Sequence, residues 1–155
     1  MSTTIANTAD VRATAHIGEL AHIGEWAQIG EGARIGREAF IGEGAFIGEG
    51  TTIGEGARIG ALAHIGEVAI IGARAHIGEG AIWEESPPYA QIGRWAACMP
   101  SLSAIRIGCQ EAPVADWTPE RIAELAKIHR ATPLEIAGAI SFVLWCRAVA
   151  VGVKA

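Results

Sequence analysis

Four of the chain's five histidines fall on one six-residue grid: His16, His22, His64 and His76 each take the second place of a recurring phrase. A neutral imidazole can accept a proton from a hydroxyl or amine as a general base. Three imidazoles together can hold zinc with one coordination position open. In sister phrases the same place holds Gln28, Arg34, Phe40, Phe46 and Thr52. The position therefore does not demand an imidazole, and solvated or interface histidines are the first expectation. A second pairing is Cys109 with His129, the residue types of a nucleophile and its base. The expectation there is a buried small thiol and a histidine on a helix face.

The phrase that positions the histidines reads Ala–x–Ile–Gly–Glu–x. It runs without insertion through fourteen hexads from Thr3 to Ser86, with Ile third in twelve of them and Ala first in twelve. A unit this short cannot bury an apolar face alone and must stack on its neighbours. Side chains alternate along an extended strand, so Ala and Ile share the inner side and the second residue points outward. Gly stands fourth from Gly18 to Gly78 and often sixth, and permissive dihedrals at both places ease the corners. Burying the Ile side chains at ~1.5–3 kcal/mol each is ample gross drive for a coil. Trp83 in the last inner slot and Glu84 in place of Gly mark its end.

These hexads resemble the hexapeptide-repeat family, whose chains form an all-β repeat, a left-handed parallel β-helix with three hexads per triangular coil. The resemblance implies nearly five coils over 1–86 and a residue stacked above the one eighteen positions earlier. One face then carries Thr4, His22, Phe40, Arg58 and His76; the second Asp10, Gln28, Phe46, His64 and Ile82; the third His16, Arg34, Thr52 and Ile70. Glu31, Glu49, Glu67 and Glu85 would form a corner column, where like charges about 5 Å apart repel by about 1 kcal/mol in water. That column reads as a soluble corner that blocks edge pairing rather than a cation site. Family members commonly assemble as trimers, so a homotrimer is expected, with Phe40, Phe46, Ile70, Ile82 and Trp145 at interfaces. Many members are acyltransferases that use coenzyme A thioesters and a His base at a subunit cleft. His64 and His76 are the candidates for that role, although the excursion loops that shape such sites are missing here. The γ-class carbonic anhydrases share the fold, but their Gly-His and His-Gly-Cys run is not in the chain, and no metal is expected.

Residues 87–155 follow as a cap or oligomerisation region. Ser86-Pro-Pro breaks the ladder. Tyr89–Trp95 and Ser103–Cys109 read as a hairpin with Met99-Pro-Ser in its loop. Helices are expected over 118–129 and 133–150, opened by Thr118-Pro and by the capping box Thr132-Pro-Leu-Glu135. Ile122, Leu125, Ala126 and His129 share a face of the first. The second is apolar nearly all round and must be buried, against the coil or against sister helices; Arg147 and its length argue against a membrane span. The outline Ile107-Gly-Cys109, Asp116-Trp117 and His129 resembles a module found after hexapeptide repeats in phage and prophage proteins, which implies an accessory protein.

The bulk numbers bound these readings. With 6% aromatic residues the chain suits a narrow Ile and Ala core, and a net charge of −5 without a basic run does not suggest a nucleic-acid surface. Three cysteines without metal spacing read as reduced thiols in a cytoplasm-like compartment, and the start shows no signal peptide. The function expected is a non-catalytic trimeric scaffold or binding protein without a cofactor, the alternative being the acyltransferase.

Overall fold

The computed structural model describes residues 2–151, and the chain divides into two compact units at Pro87 and Pro88. Each hexad of the first unit contributes one two-residue strand at its second and third residues, from β1 (Thr4–Ile5) to β14 (Ile82–Trp83). These pair in parallel as three sheets of five, five and four strands, in the orders β1-β4-β7-β10-β13, β14-β11-β8-β5-β2 and β12-β9-β6-β3. The parallel β-helix is therefore present, with four full turns and two further strands. Its register steps by eighteen residues, as in Arg58 beside Phe40 and His76.

Each rung is held by two backbone bonds to the next coil along the strand, and a third joins the corners, as where Gly44 N–H donates to the Glu25 carbonyl at 2.8 Å. His22 N–H donates to the Ala39 carbonyl and Gly24 N–H to the Ile41 carbonyl, both at 2.8 Å. Inside, ten Ile side chains from Ile23 to Ile77 are buried. Ile5 is 46% exposed, because no coil of this unit lies above it. Thr51 takes an inner place meant for Ala, and its buried hydroxyl donates to the Gly66 carbonyl at 2.7 Å. At the last turn Ser86 Oγ accepts from Ile70 N–H at 2.9 Å, standing in for a carbonyl of a coil that does not follow.

The two glycine positions do different work, which corrects their joint assignment to permissive corners. The sixth residue adopts left-handed φ near +60° whether it is Gly32 or Leu20, Trp26, Glu38, Leu62, Val68 or Arg74. At the fourth the constraint is space. A Cβ on Gly36 would lie 2.6 Å from the Glu55 N and the Gly54 carbonyl carbon of the next coil.

The second unit departs from the expected hairpin. Four antiparallel strands, β15 (Tyr89–Ile92), β16 (Trp95–Ser101), β17 (Ala104–Ile107) and β18 (Gln110–Pro113), form a meander in chain order. The run Tyr89–Trp95, expected as one strand, turns at Gly93, where φ is +55°. Ser103–Cys109 likewise ends in a turn at Gly108, φ +60°. Met99 lies in β16 rather than in a loop and is fully buried. The register shifts between Cys98 and Ser101, where Pro100 has no N–H to give. Trp117 Nε1 donates to the Ile105 carbonyl at 3.0 Å and ties the segment after β18 back to the sheet.

Helices α1 (Pro119–Ile128) and α2 (Pro133–Ala150) form where the caps place them. Thr118 accepts from Arg121 N–H, and the full capping box joins Thr132 and Glu135. Within the unit α2 buries one face, Ala139, Phe142, Val143 and Cys146, while Leu134, Leu144 and Trp145 are exposed. The expectation of burial all round is thus not met by the chain alone. By length and composition α2 could cross a membrane, with mean hydropathy 1.4 over 18 residues.

Substitutions separate the two glycine roles. Gly36→Ala forces backbone apart between coils and lowers the thermal midpoint of the solenoid sharply. Val68→Gly relieves a β-branched residue held at φ +55° and 75% exposed, and raises stability by about 1 kcal/mol. Thermal unfolding followed by circular dichroism reads both, and a neutral Gly36→Ala would refute the steric role.

Candidate functional site

The outward columns of the solenoid follow the expected faces, and the structure gives several of their members partners. His22 stacks on Phe40 of the next coil with ring centroids 5.1 Å apart and parallel planes. Phe46 stacks on His64 at 4.6 Å and 9°. Both pairs arise because in-register rungs set side chains one above the other at strand spacing. His64 also places Nε2 3.9 Å from Glu84 Oε1, where Glu84 stands in the slot that other hexads fill with Gly. Both partners are largely exposed, so the pair adds little to stability. Spacing in the sequence did not indicate this proximity.

His76 lies on the first sheet beside Arg58, and His64 on the second between Phe46 and Ile82. Within one chain the fold thus keeps the two candidate bases on different faces. Phe40, Phe46, Ile70 and Ile82 are 44%, 37%, 60% and 63% exposed. Among the described residues no group of three or more His, Cys, Asp or Glu is arranged to hold a metal ion.

In the second unit Cys109 is exposed, which corrects the expectation of a buried thiol. It sits in the turn between β17 and β18, because Gly108 takes the positive φ and swings the next side chain outward. His129 caps the C-terminus of α1, with its ring edge-on to Trp95 at 6.4 Å and its carbonyl accepting from Arg94 Nη2. Cys109, Trp117 and His129, distant in sequence, line one cleft between the sheet and the two helices.

Among the described residues of this unit three titrating groups are displaced: Cys146, Glu135 and Glu120, whose carboxyl is lowered first by a backbone N–H at the start of α1 and then by the Thr118 hydroxyl. Burial, and then neighbouring Cys98, pushes the Cys146 thiol up to about 12. The Glu135 carboxyl is held below the ordinary carboxylate range, first by Thr132 N–H at 2.8 Å and then by the Thr132 hydroxyl at 3.0 Å, with Arg94 adding to it. A depressed folded value stabilises above the unfolded one, so this contribution is present at neutral pH and is lost as pH falls below about 4. Glu135→Gln flattens that acid limb, as read by helical circular dichroism against pH. At pH 8 one thiol of the three, Cys109, reacts with a maleimide; rapid modification of Cys146 on mass spectrometry would contradict the structure.

Residues 14–49 and 50–82 match the family described as bacterial transferase hexapeptide (six repeats). Among solved structures the chain is similar to a UDP-N-acetylglucosamine acyltransferase from Arabidopsis, at 24% identity over 50% of this chain and 28% of that one, TM-score 0.48. It is also similar to the acetyltransferase domain of PglB from Neisseria gonorrhoeae in complex with acetyl coenzyme A, at 20% identity over 52% and 53%, TM-score 0.34. A hexapeptide transferase family protein from Anaplasma phagocytophilum aligns at 16% identity over 94% and 92%, TM-score 0.21. The chain spans between about a quarter and a half of the length of the first two. No curated protein matches the chain.

Proposed function

Taking residues 14–82 as hexapeptide repeats of the bacterial transferase type, we propose that the protein is a non-catalytic homotrimeric scaffold or binding protein. It acts through protein contacts on its outer faces. The observation that carries this reading is the set of large apolar side chains at outward places of successive coils, Phe40, Phe46, Ile70 and Ile82. Exposed apolar side chains held on all three faces of a rigid ladder favour a partner over water. A three-fold contact brings two different faces of neighbouring copies together, which covers Phe40 from one and Phe46 from the next. Trp145 of α2, 41% exposed, adds an aromatic anchor of the kind enriched at interfaces. A phage or prophage accessory setting belongs to the same proposal and rests on the outline Ile107-Gly-Cys109, Asp116-Trp117 and His129.

A second reading has its own observation, the His64–Glu84 pair at 3.9 Å. A carboxylate that hydrogen-bonds one imidazole nitrogen orients the other as a general base; Glu84 would have to close from 3.9 Å to do so. In an acyltransferase working at a subunit cleft, His64 would take the proton of an acceptor hydroxyl or amine as it attacks the thioester carbonyl, and would return that proton to the sulfur as the C–S bond breaks and coenzyme A leaves as the thiol. His76, the other candidate, lies beside Arg58.

Light scattering at micromolar concentration tests the first reading. The mass expected is three times the 16.1 kDa of the chain, and Phe46→Glu reduces it to one chain with the circular dichroism spectrum kept. A monomeric wild type refutes the trimer. Titration with acetyl coenzyme A separates the two readings. A saturable thermal shift that disappears in His64→Ala selects the acyltransferase, and no shift leaves the scaffold.

A further inference from the structure

The cleft of the second unit has the makings of a ligand site, independent of the reading above. It holds about 80 Å³, whereas one water molecule needs roughly 10–15 Å³ on the same measure. Its walls are aromatic and aliphatic, with Trp95 and Trp117 from the sheet side and Ile122, Leu125 and Ile136 from the helices. Protein interiors normally close such a space, since each unfilled contact forfeits dispersion energy. Here three anchors hold it open. Trp117 is fixed by its bond to the Ile105 carbonyl, Arg94 ties the end of α1 to the β15–β16 turn through the His129 carbonyl, and the Thr132–Glu135 box sets the start of α2.

The polar groups at the rim decide what the cleft admits. Glu135 lines it and is held ionised by Thr132 and Arg94, so the carboxylate adds a negative charge beside an apolar wall. Arg94 and Arg121 lie over the Trp95 and Trp117 rings at 4.9 and 5.4 Å, so both signs of charge border the cleft and a guest with a net charge of either sign would lose water beside a like charge. Gln110 and the His129 imidazole, also in the lining, offer hydrogen bonds to a neutral polar end. We propose that this cleft binds a small uncharged ligand, a single aromatic ring or short alkyl chain ending in a hydroxyl or amide. The apolar part lies between the two tryptophans and the α1–α2 face, and its polar end faces Gln110 and His129. Cys109 stands at the mouth and reports occupancy without taking part in binding.

The test uses the full-length protein and the rate at which a maleimide alkylates Cys109, the one exposed thiol. Benzyl alcohol and 1-hexanol are the probes, with benzoate as the anionic control. At a tenfold excess over its dissociation constant a probe slows labelling roughly tenfold and raises the thermal midpoint. Benzoate does neither. Ala126→Phe, which fills the cleft from half-buried α1, abolishes any further slowing of Cys109 labelling by either alcohol and the thermal shift that accompanies it. If that variant misfolds, quenching of tryptophan emission in the wild type by a brominated benzyl alcohol, saturable and competed by benzyl alcohol, supplies the same reading. Labelling unaffected by either alcohol overturns the proposal. So does equal protection by benzoate, or slowing of the same size in a folded Ala126→Phe protein.

Discussion

The structure of the repeat depends on one distance, the separation of stacked coils that parallel backbone hydrogen bonding imposes. At about 4.8 Å per rung, the second and fourth N–H groups of each hexad reach carbonyls of the following coil. Ala and Ile then fall on their own kind. Such spacing leaves no room for a Cβ at the fourth residue, where Gly36 already faces the backbone of residues 54 and 55. Glycine there is a requirement of approach between coils. At the sixth residue the requirement is a dihedral angle, which Leu20 and Arg74 meet at some strain and Gly32 meets freely.

The same distance creates the chemistry of the outer surface. Strand spacing is close to the contact distance of stacked rings, so His22 over Phe40 and Phe46 over His64 are consequences of register. A rigid column repeats what it displays. Isolated residues in the chain become one mixed column, Phe46, His64 and Ile82 in succession, with Glu84 approaching His64 where the repeat breaks. Function placed on such a scaffold is set by which stripe meets a neighbour, and the flat ladder contributes only exact repetition of position.

The second unit follows another rule. Its sheet turns are made by Gly93 and Gly108 at positive φ, and the resulting meander carries Trp95, Trp117 and Cys109 to meet α1 and α2. The dipeptide Ile-Gly occurs in both units with opposite outcomes. Within hexads it precedes a corner that keeps the coil winding; in Gln91-Ile-Gly-Arg94 and Arg106-Ile-Gly-Cys109 it reverses the chain. Local sequence is the same, and the choice falls to whether another coil lies alongside to accept the backbone bonds.

By itself the sequence determined a stacked six-residue repeat, the inner and outer places of each hexad, and both helix starts. Those features come from a strict period and from caps, which act between residues close in sequence or repeated identically. The eighteen-residue register and the membership of each face were implied by the resemblance to hexapeptide-repeat chains, and the strand pairing agrees with them. Tertiary structure alone decided that Tyr89–Trp95 folds into a hairpin rather than one strand, that Met99 is buried, and that Cys109 is exposed. It also decided that His64 finds Glu84 and that Cys109, Trp117 and His129 share one cleft. The burial of Met99 and the meeting of Cys109, Trp117 and His129 depend on partners far along the chain that carry no repeat to mark them. A non-repeating contact leaves no period in the sequence, and only the folded backbone brings its two halves together.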